Sequence, residues 1–226
     1  MDLPIYSAGK HFIRMKNTCV LLSGLLLLAI SASSLQAASI DTLFHTGQES
    51  AGGVDLHYRW VDGASERDAH ATNLDVFPAP FWFANGISSW ISPRSTYDGF
   101  LSDAPGFTAF RTSFDLTGLI PSTALISLRV AADNDLRDVL INGKSTGISH
   151  SGFSVFSDVF AINSGFQEGV NTLDFLLTNS DGEVGNPLGL RVEIAGATAN
   201  AVPEPSSWGL LAMGLTGLAL AFRRKH

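Results

Sequence analysis

The chain has 226 residues, of which 45% are hydrophobic and 15% charged, so it is long enough to bury one sizeable core. Its 22 glycines and 15 phenylalanines favour a sheet protein with many turns over a helical bundle or a disordered chain. A formal net charge of −7 excludes nucleic acid as a partner, because phosphate binding needs clustered basic residues. The single cysteine, Cys19, excludes a disulfide framework and a cysteine-based zinc site.

The N-terminal region has the three-part pattern of an export signal. Basic residues precede the apolar run 19–30, and small residues follow it as far as Ala38. This order predicts a secretory signal peptide over residues 1–38, cleaved after Ala37 or Ala38, rather than a buried core helix. Met15 begins a compact signal of the same kind and is an alternative true start.

The C-terminal region repeats a three-part order with different chemistry. A proline-containing motif at 202–205 is followed by the apolar segment 206–222 and the basic end 223–226. The apolar segment predicts a transmembrane helix, and the basic end predicts that the acidic domain lies outside the inner membrane. The residues that carry this pattern are Val202, Pro203, Glu204, Pro205, Arg223 and Arg224.

This C-terminal pattern resembles the PEP-CTERM sorting signal of Gram-negative, exopolysaccharide-forming bacteria. The resemblance implies an exosortase as partner, which is a membrane-embedded cysteine transpeptidase that cuts near the Pro-Glu-Pro motif. It also implies a transient inner-membrane intermediate and a final location at the cell surface or in the extracellular matrix. The alternative is a plain C-terminal membrane anchor, which an apolar helix followed by arginines also satisfies.

Between the two signals, residues 39–200 show short alternating segments separated by turn residues. This pattern predicts an all-β fold, a single β-sandwich or jelly roll flanked by the signal helix and the transmembrane helix. Asn142-Gly143 predicts a tight type I′ hairpin turn, because such turns need positive φ at both central residues. The residues that predict strands are 56–61, Phe110 with 113–116, 124–131, 139–141, 159–162, 173–177 and 190–195.

Four phrases of this domain resemble the galactose-binding-domain-like jelly roll found in carbohydrate-binding modules. They are an Ala-x-Asp-Asn loop at 131–134, a hairpin at 140–144, and the segments 169–173 and 186–190. The resemblance covers about residues 90–196. It implies a fold more than a ligand, because these residues mostly form turns and strand ends.

An aromatic stretch around Trp82 and Trp90 offers a glycan contact. Sugars stack their CH faces on indole rings, and neighbours such as Asn85 and Asp98 offer hydrogen bonds to hydroxyls. The alternative is that these aromatic side chains cover one end of the sandwich.

A second cluster, Asp133, Asn134 and Asp135, offers oxygen ligands to Ca²⁺, which takes six to eight oxygens. The cluster lacks the spaced acidic loop of a dedicated calcium site. The alternative is a turn, since Asp and Asn side chains bond readily to nearby backbone.

The sequence offers no catalytic residue. Residues 143–147 match the G-x-S-x-G pattern of a hydrolase, but no helical period follows, so a hairpin is predicted instead. The histidines of the domain lack metal-binding spacing. They are His45, His57, His70 and His150.

The sequence therefore predicts an exported, non-enzymatic protein without a required cofactor. Three functions remain open: a module that binds exopolysaccharide, a purely structural surface protein, and a small glycan-acting hydrolase. The first predicts an exposed Trp82 or Trp90 in a groove, and the second predicts that both are buried. The third requires two carboxylates facing each other across a cleft.

Overall fold

The computed structural model describes residues 36–74, 81–96, 103–180, 185–203, 213–218 and 222–223. The chain divides into two compact units, Met1–Ser34 and Leu35–His226, and every described residue lies in the second. Most of the predicted signal peptide lies outside the described residues, as do Asp98, Glu204, Pro205 and Arg224.

The described part of Leu35–His226 is built mainly from strands. They are β1 (Ala37–Ser39), β2 (Val54–Asp62), β3 (Ser65–Ala71), β4 (Ile91–Ser92), β5 (Gly106–Asp115), β6 (Leu125–Ile141), β7 (Lys144–Ser145), β8 (His150–Gly152), β9 (Phe160–Ile162), β10 (Val170–Asn179) and β11 (Gly189–Asn200). A 3-10 turn at Pro121–Thr123 precedes β6. Residues 213–218 and 222–223 are helical, and no helix among the described residues is long and apolar enough to cross a membrane.

The strands form one antiparallel sheet that closes on itself. Hydrogen bonding runs in the order β11-β4-β3-β2-β5-β10-β6, and β6 pairs back with β11 to complete the ring. Closure pairs strands that would otherwise be exposed edges, which is how all-β domains avoid edge-to-edge association. The prediction of an all-β domain over this region is confirmed.

The ring encloses an apolar core supplied by alternating residues of the long strands. In β10, Leu173, Phe175 and Leu177 are fully buried, as the two-residue period of a strand requires when one face is covered. Phe110 of β5 and Tyr58 of β2 are also fully buried in this cluster.

Strand β6 is the longest strand, pairs with both β10 and β11, and has different bounds from those predicted. Two strands are predicted at 124–131 and 139–141 with a turn or loop at Asp133–Asp135, whereas β6 is continuous through all of them. The expectation of a turn is wrong because β6 changes partner here. Asp133 pairs with Gly189 of β11, and Asp135 pairs with Thr178 of β10.

The predicted hairpin after β6 is confirmed. Asn142 and Gly143 have φ of 50° and 76°, and Ile141 pairs with Lys144 across the turn. Both central residues therefore have the left-handed conformation of a type I′ turn. Ser145 lies in strand β7, so it does not begin the helix that a hydrolase nucleophile elbow requires.

Strand β2 shows where alternation alone misleads. Alternation along the predicted strand 56–61 would place Leu56, Tyr58 and Trp60 on one face, yet Leu56 is 74% exposed while Tyr58 is fully buried. A register shift between β2 and β3 lies between Val54 and Arg59. Such a bulge re-aims side chains locally, and the simple period is lost there.

Candidate functional site

A cleft of about 340 Å³ opens where β6 changes partner from β11 to β10. Two aromatic rings, one carboxylate and two amides meet there, a combination typical of sites for polar ligands with an apolar face. The described lining residues are Phe81, Asp133, Asn134, Phe153, Gly185, Asn186 and Pro187.

Asp133 is the buried carboxylate of this cleft, with 4% of the residue exposed. Its Oδ2 accepts a hydrogen bond from Trp82 Nε1 at 2.7 Å, and its Oδ1 accepts one from Asn134 Nδ2 at 3.0 Å. Burial raises the pKa of Asp133 to about 6, the Trp82 hydrogen bond opposes this, and the charges of Asp103 and Asp135 add to it. The carboxyl group therefore changes its charge between pH 5 and 7.

The side-chain amides of Asn134 and Asn186 are fixed in orientation by hydrogen bonds to neighbouring residues. Asn134 Oδ1 accepts hydrogen bonds from the backbone N–H of Ser180 at 2.7 Å and from its hydroxyl at 2.9 Å. Asn186 Nδ2 donates to Asn179 Oδ1 at 3.2 Å and to the Ser180 carbonyl at 3.3 Å. The polar groups of the cleft are thus preorganised by the end of β10.

The aromatic rings come from two different segments. Phe81 is 59% exposed, whereas Phe153 is half-buried and packs on the second apolar cluster of the domain. Phe81 therefore presents apolar surface next to the fixed amides of the cleft.

Trp82 and Trp90 lie beneath this surface. Their exposed fractions are 2% and 0%, and the rings stack with centroids 4.4 Å apart. Trp90 Nε1 donates to the Phe83 carbonyl at 3.0 Å, while Trp82 Nε1 donates to Asp133. This corrects the expectation of an exposed indole in a groove, and the alternative of core packing describes their surroundings.

We call Trp82, Phe83, Trp90, Phe153 and Phe156 the aromatic cluster. Its support comes from β11. Leu190 and Val192 of that strand face the apolar core, and Arg191, next to them, points to the opposite side. Its guanidinium lies 4.7 Å from the ring centre of Phe83 and 5.0 Å from that of Phe156, a favourable cation–π geometry.

Arg191 is fully buried and fastens the loop 83–88 to the sheet. It donates to the carbonyls of Phe83 at 2.7 Å, Asn85 at 2.9 Å and Ser88 at 2.6 Å. Burial lowers the pKa of this guanidinium, and the charge of Glu193 opposes that shift. The arginine thereby replaces a run of backbone–backbone bonds that the irregular loop lacks.

Glu193, two residues further along β11, binds the same loop. Its Oε1 accepts hydrogen bonds at 3.1 Å from the Ile87 N–H and the Ser88 hydroxyl, and its Oε2 accepts one at 2.9 Å from Arg129 Nε. Burial raises the pKa of Glu193, but these hydrogen bonds outweigh burial and the pKa is lowered overall. The loop that carries Trp82 and Trp90 is therefore rigidly attached.

The calcium expectation rests on Asp133, Asn134 and Asp135, which lie consecutively on β6. Both carboxylate oxygens of Asp133 already accept hydrogen bonds, from Trp82 and from Asn134. Within the described ranges, no three His, Cys, Asp or Glu side chains come together in a way that could hold a metal ion.

The histidines are dispersed among structural surroundings. His45 Nδ1 accepts a hydrogen bond from the Ile194 N–H at 3.0 Å, and His57 stacks on Phe44 at 3.7 Å. His70 lies in β3 and His150 in β8.

The sorting residues are described in part. Val202 donates its backbone N–H to the Gly118 carbonyl at 2.9 Å, Pro203 follows directly, and Arg223 is exposed on a helical segment. The family model for the PEP-CTERM protein-sorting motif matches residues 201–225. The chain thus carries this motif, which indicates an exported protein processed by an exosortase.

Solved structures similar to this chain include carbohydrate-binding modules. One is a CBM35 from Paenibacillus barcinonensis (13% identity, 66% of this chain and 96% of that chain, TM-score 0.34). Another is a family 35 carbohydrate binding module from an environmental isolate (13% identity, 64% of this chain and 98% of that chain, TM-score 0.29). A third is the Podospora anserina GH26-CBM35 β-(1,4)-mannanase (13% identity, 76% of this chain and 28% of that chain, TM-score 0.27). TM-scores below 0.5 do not establish a shared ligand. No curated protein matches the sequence significantly.

Sequence reasoning missed most of the cleft. It singled out Asp133 and Asn134 as metal ligands, whereas the structure joins them to Phe81, Phe153 and Asn186. The aromatic stretch before Trp82 includes Phe81, so a hint was available. Nothing in the sequence indicates that residues 81, 134 and 186 meet.

Proposed function

We propose that this protein is sorted to the cell surface or the exopolysaccharide matrix by an exosortase and there binds neutral saccharide without catalysing a reaction. Residues 201–225, matched by the sorting motif, support the first half. The cleft at the change of partner of β6 supports the second. We also propose that the closed sheet is a jelly roll of the galactose-binding-domain-like type.

The observation that carries the binding proposal is the exposed Phe81 ring beside the fixed polar groups of the cleft. A pyranose places its CH face on such a ring, and its hydroxyls accept from and donate to the neighbouring amides. Trp82 and Trp90 support this surface from below instead of contacting the sugar.

The charge of the domain selects the class of saccharide. Residues 39–202 contain 19 acidic and eight basic residues, and Asp133 is the ionisable group among the described lining residues. A uronate-bearing or sulfated glycan would meet like charge, which disfavours its binding. The proposed ligand class is therefore a neutral polysaccharide.

Binding is tested with the exported protein on immobilised neutral and uronate-bearing polysaccharides, with Phe81→Ala as the diagnostic variant. We expect retention on a neutral polymer and about a two- to twelvefold loss of affinity in the variant, since stacking contributes about 0.5–1.5 kcal/mol. Phe107→Ala is the matched control, because Phe107 is 78% exposed but lies outside the cleft lining. Equal binding by both variants would contradict the assignment of the cleft.

A purely structural surface role is the second candidate, and the burial of Trp82 and Trp90 favours it. It predicts that no polysaccharide is retained although sorting proceeds normally. The hydrolase alternative needs a second carboxylate facing Asp133, and the described lining of the cleft supplies one carboxylate. Release of reducing sugar from a retained polymer would support the hydrolase alternative.

A further inference from the structure

A second cavity, of about 410 Å³, lies on the same two strands as the cleft. We call it the Arg137 pocket, and its described lining residues are Leu136, Arg137, Ser149, His150 and Ser151. On β6, Asn134 of the cleft and Leu136 of the pocket are two residues apart. On the other side, Ser151 of β8 lines the pocket and Phe153, just after β8, lines the cleft. Two residues of strand span roughly 7 Å, so the cavities are neighbours at a distance that a short oligosaccharide covers.

A bulge in β6 turns Arg137 out of the sheet. Strand β10 pairs with residues 136 and 138 of β6 and skips Arg137. Leu136 and Val139 are both buried although they are three residues apart, which the two-residue period of a regular strand does not allow. The extra residue of the bulge restores the core-facing positions and leaves the long Arg137 side chain exposed.

Arg137 differs from the other arginines of the described β domain. Each of those forms an ion pair with an aspartate or a glutamate; they are Arg59, Arg67, Arg94, Arg111, Arg129 and Arg191. Among the residues that the structure describes, the Arg137 side chain has neither an ion pair nor a hydrogen bond. The hydroxyls of Ser149 and Ser151 are exposed and have no hydrogen-bond partner in that part of the chain either. A guanidinium and two hydroxyls therefore line one cavity with their hydrogen-bonding capacity unused.

The charges around Arg137 favour a neutral ligand over an anion. Asp133, Asp135 and Asp138 all lie within four residues of it on β6, and Asp135 is also the strand partner of Ser151. An anion entering the pocket would meet these carboxylates, which oppose the attraction of the single guanidinium. A guanidinium offers several N–H donors in a fixed plane, and a serine hydroxyl both donates and accepts. This combination suits the hydroxyl groups of a sugar.

We propose that the Arg137 pocket is a second saccharide subsite, in which Arg137 binds hydroxyl groups of a sugar unit further along the chain from the unit that stacks on Phe81. The inference rests on the proposed saccharide binding and makes it more specific. The ligand is then an oligosaccharide or an internal stretch of a polymer, bound along its length across β6 and β8. Leu136 and His150, which pair across these strands, form the base of the second subsite.

The test titrates the exported protein with neutral linear oligosaccharides of increasing length, in glucose, mannose and galactose series, and measures affinity by NMR. In a series that binds, we expect the trisaccharide to bind about fivefold more tightly than the monosaccharide, the effect of one further hydrogen-bonded contact. Arg137→Ala should abolish this gain and leave the affinity for the monosaccharide unchanged. Phe81→Ala should weaken both by the same factor. Equal affinity at all chain lengths, or an undiminished gain in Arg137→Ala, overturns the second subsite.

Two further variants separate hydroxyl recognition from an effect of charge. Arg137→Lys keeps the positive charge but loses the planar donor group, so we expect it to lose the gain as Arg137→Ala does. Arg59→Ala is the matched control and should keep the gain, because Arg59 is an exposed arginine of β2 outside the described lining of both cavities.

The remaining outcomes distinguish failure of the subsite from failure of saccharide binding as a whole. A full gain in Arg137→Lys, or loss of the gain in Arg59→Ala, would show an effect of charge and overturn the second subsite. Binding of inorganic phosphate that Arg137→Ala abolishes would show an anion site and overturn it as well. Failure of every oligosaccharide series to bind would instead contradict the proposed function itself.

Discussion

The interior of the closed ring and the aromatic cluster are both buried, but different forces hold them. The interior is apolar and is filled by side chains such as Phe110 and Phe175 from neighbouring strands. The aromatic cluster rests on a buried arginine and on Glu193. Apolar packing tolerates many sequences, whereas buried charges demand specific partners, so the second region is the more specifically constructed.

The largest effect is expected from the interior. Phe175→Ala removes a fully buried ring from the centre of β10 and should lower the free energy of unfolding by about 4 kcal/mol, because a cavity remains. Urea unfolding followed by circular dichroism measures this loss. Val170→Ala on the same strand is the control, since Val170 is 61% exposed. Similar losses for both variants would show that the interior is not the main source of stability.

A smaller and more local effect is expected from the aromatic cluster. Arg191→Met leaves the carbonyls of Phe83, Asn85 and Ser88 without this donor and should cost about 3 kcal/mol. The emission of the buried tryptophans should shift to longer wavelength at denaturant concentrations where the far-ultraviolet circular dichroism is still native. Arg137→Met is the control, because Arg137 is an exposed arginine of β6. Coincident transitions by the two probes would instead mean that the loop and the ring unfold as one unit.

The smallest expected effect is a pH dependence of folding stability that arises from Asp133, the hydrogen-bond partner of Trp82 in the aromatic cluster. Burial raises the pKa of Asp133 to about 6, so the folded chain keeps this proton to a higher pH than the unfolded chain does. Ionisation of Asp133 thus costs stability progressively as pH rises from about 4 to about 6, and below about pH 4 the cost is absent.

Asp133→Asn removes this cost, and its amide oxygen can still accept the hydrogen bond from Trp82. A shift of about two pKa units corresponds to at most about 3 kcal/mol, and we expect a relative gain of about 2 kcal/mol at pH 7 compared with pH 4. Denaturant titrations at both pH values measure it. Parallel pH profiles of the two proteins would mean that Asp133 is not buried in solution.

Much of the ring could be predicted because its signals are local. The alternation at 173–177 and 190–195 and the Asn142-Gly143 turn depend on neighbouring residues, and the structure places β10, β11 and the hairpin there. The turn predicted at Asp133–Asp135 failed because pairing with β10 and β11 outweighs the local preference of Asp and Asn.

The cleft could not be predicted because its parts are distant in sequence. Phe81 and Asn186 are more than a hundred residues apart and meet only because β6 changes partner between them. Trp82 and Trp90 carried the expected aromatic signal, but whether an indole is exposed depends on what covers it. Arg191 from the last strand, which no local pattern marks, anchors the loop that carries them.

The sequence by itself determined the sorting motif, the all-β class and the hairpin, since each is encoded in a contiguous run of side-chain types. Only the tertiary structure decided that Asp133 is a buried carboxyl, that both tryptophans lie beneath the surface, and that Gln36 meets Ala201. Those three features arise from long-range strand pairing, which brings together residues whose spacing along the chain carries no record of their contact.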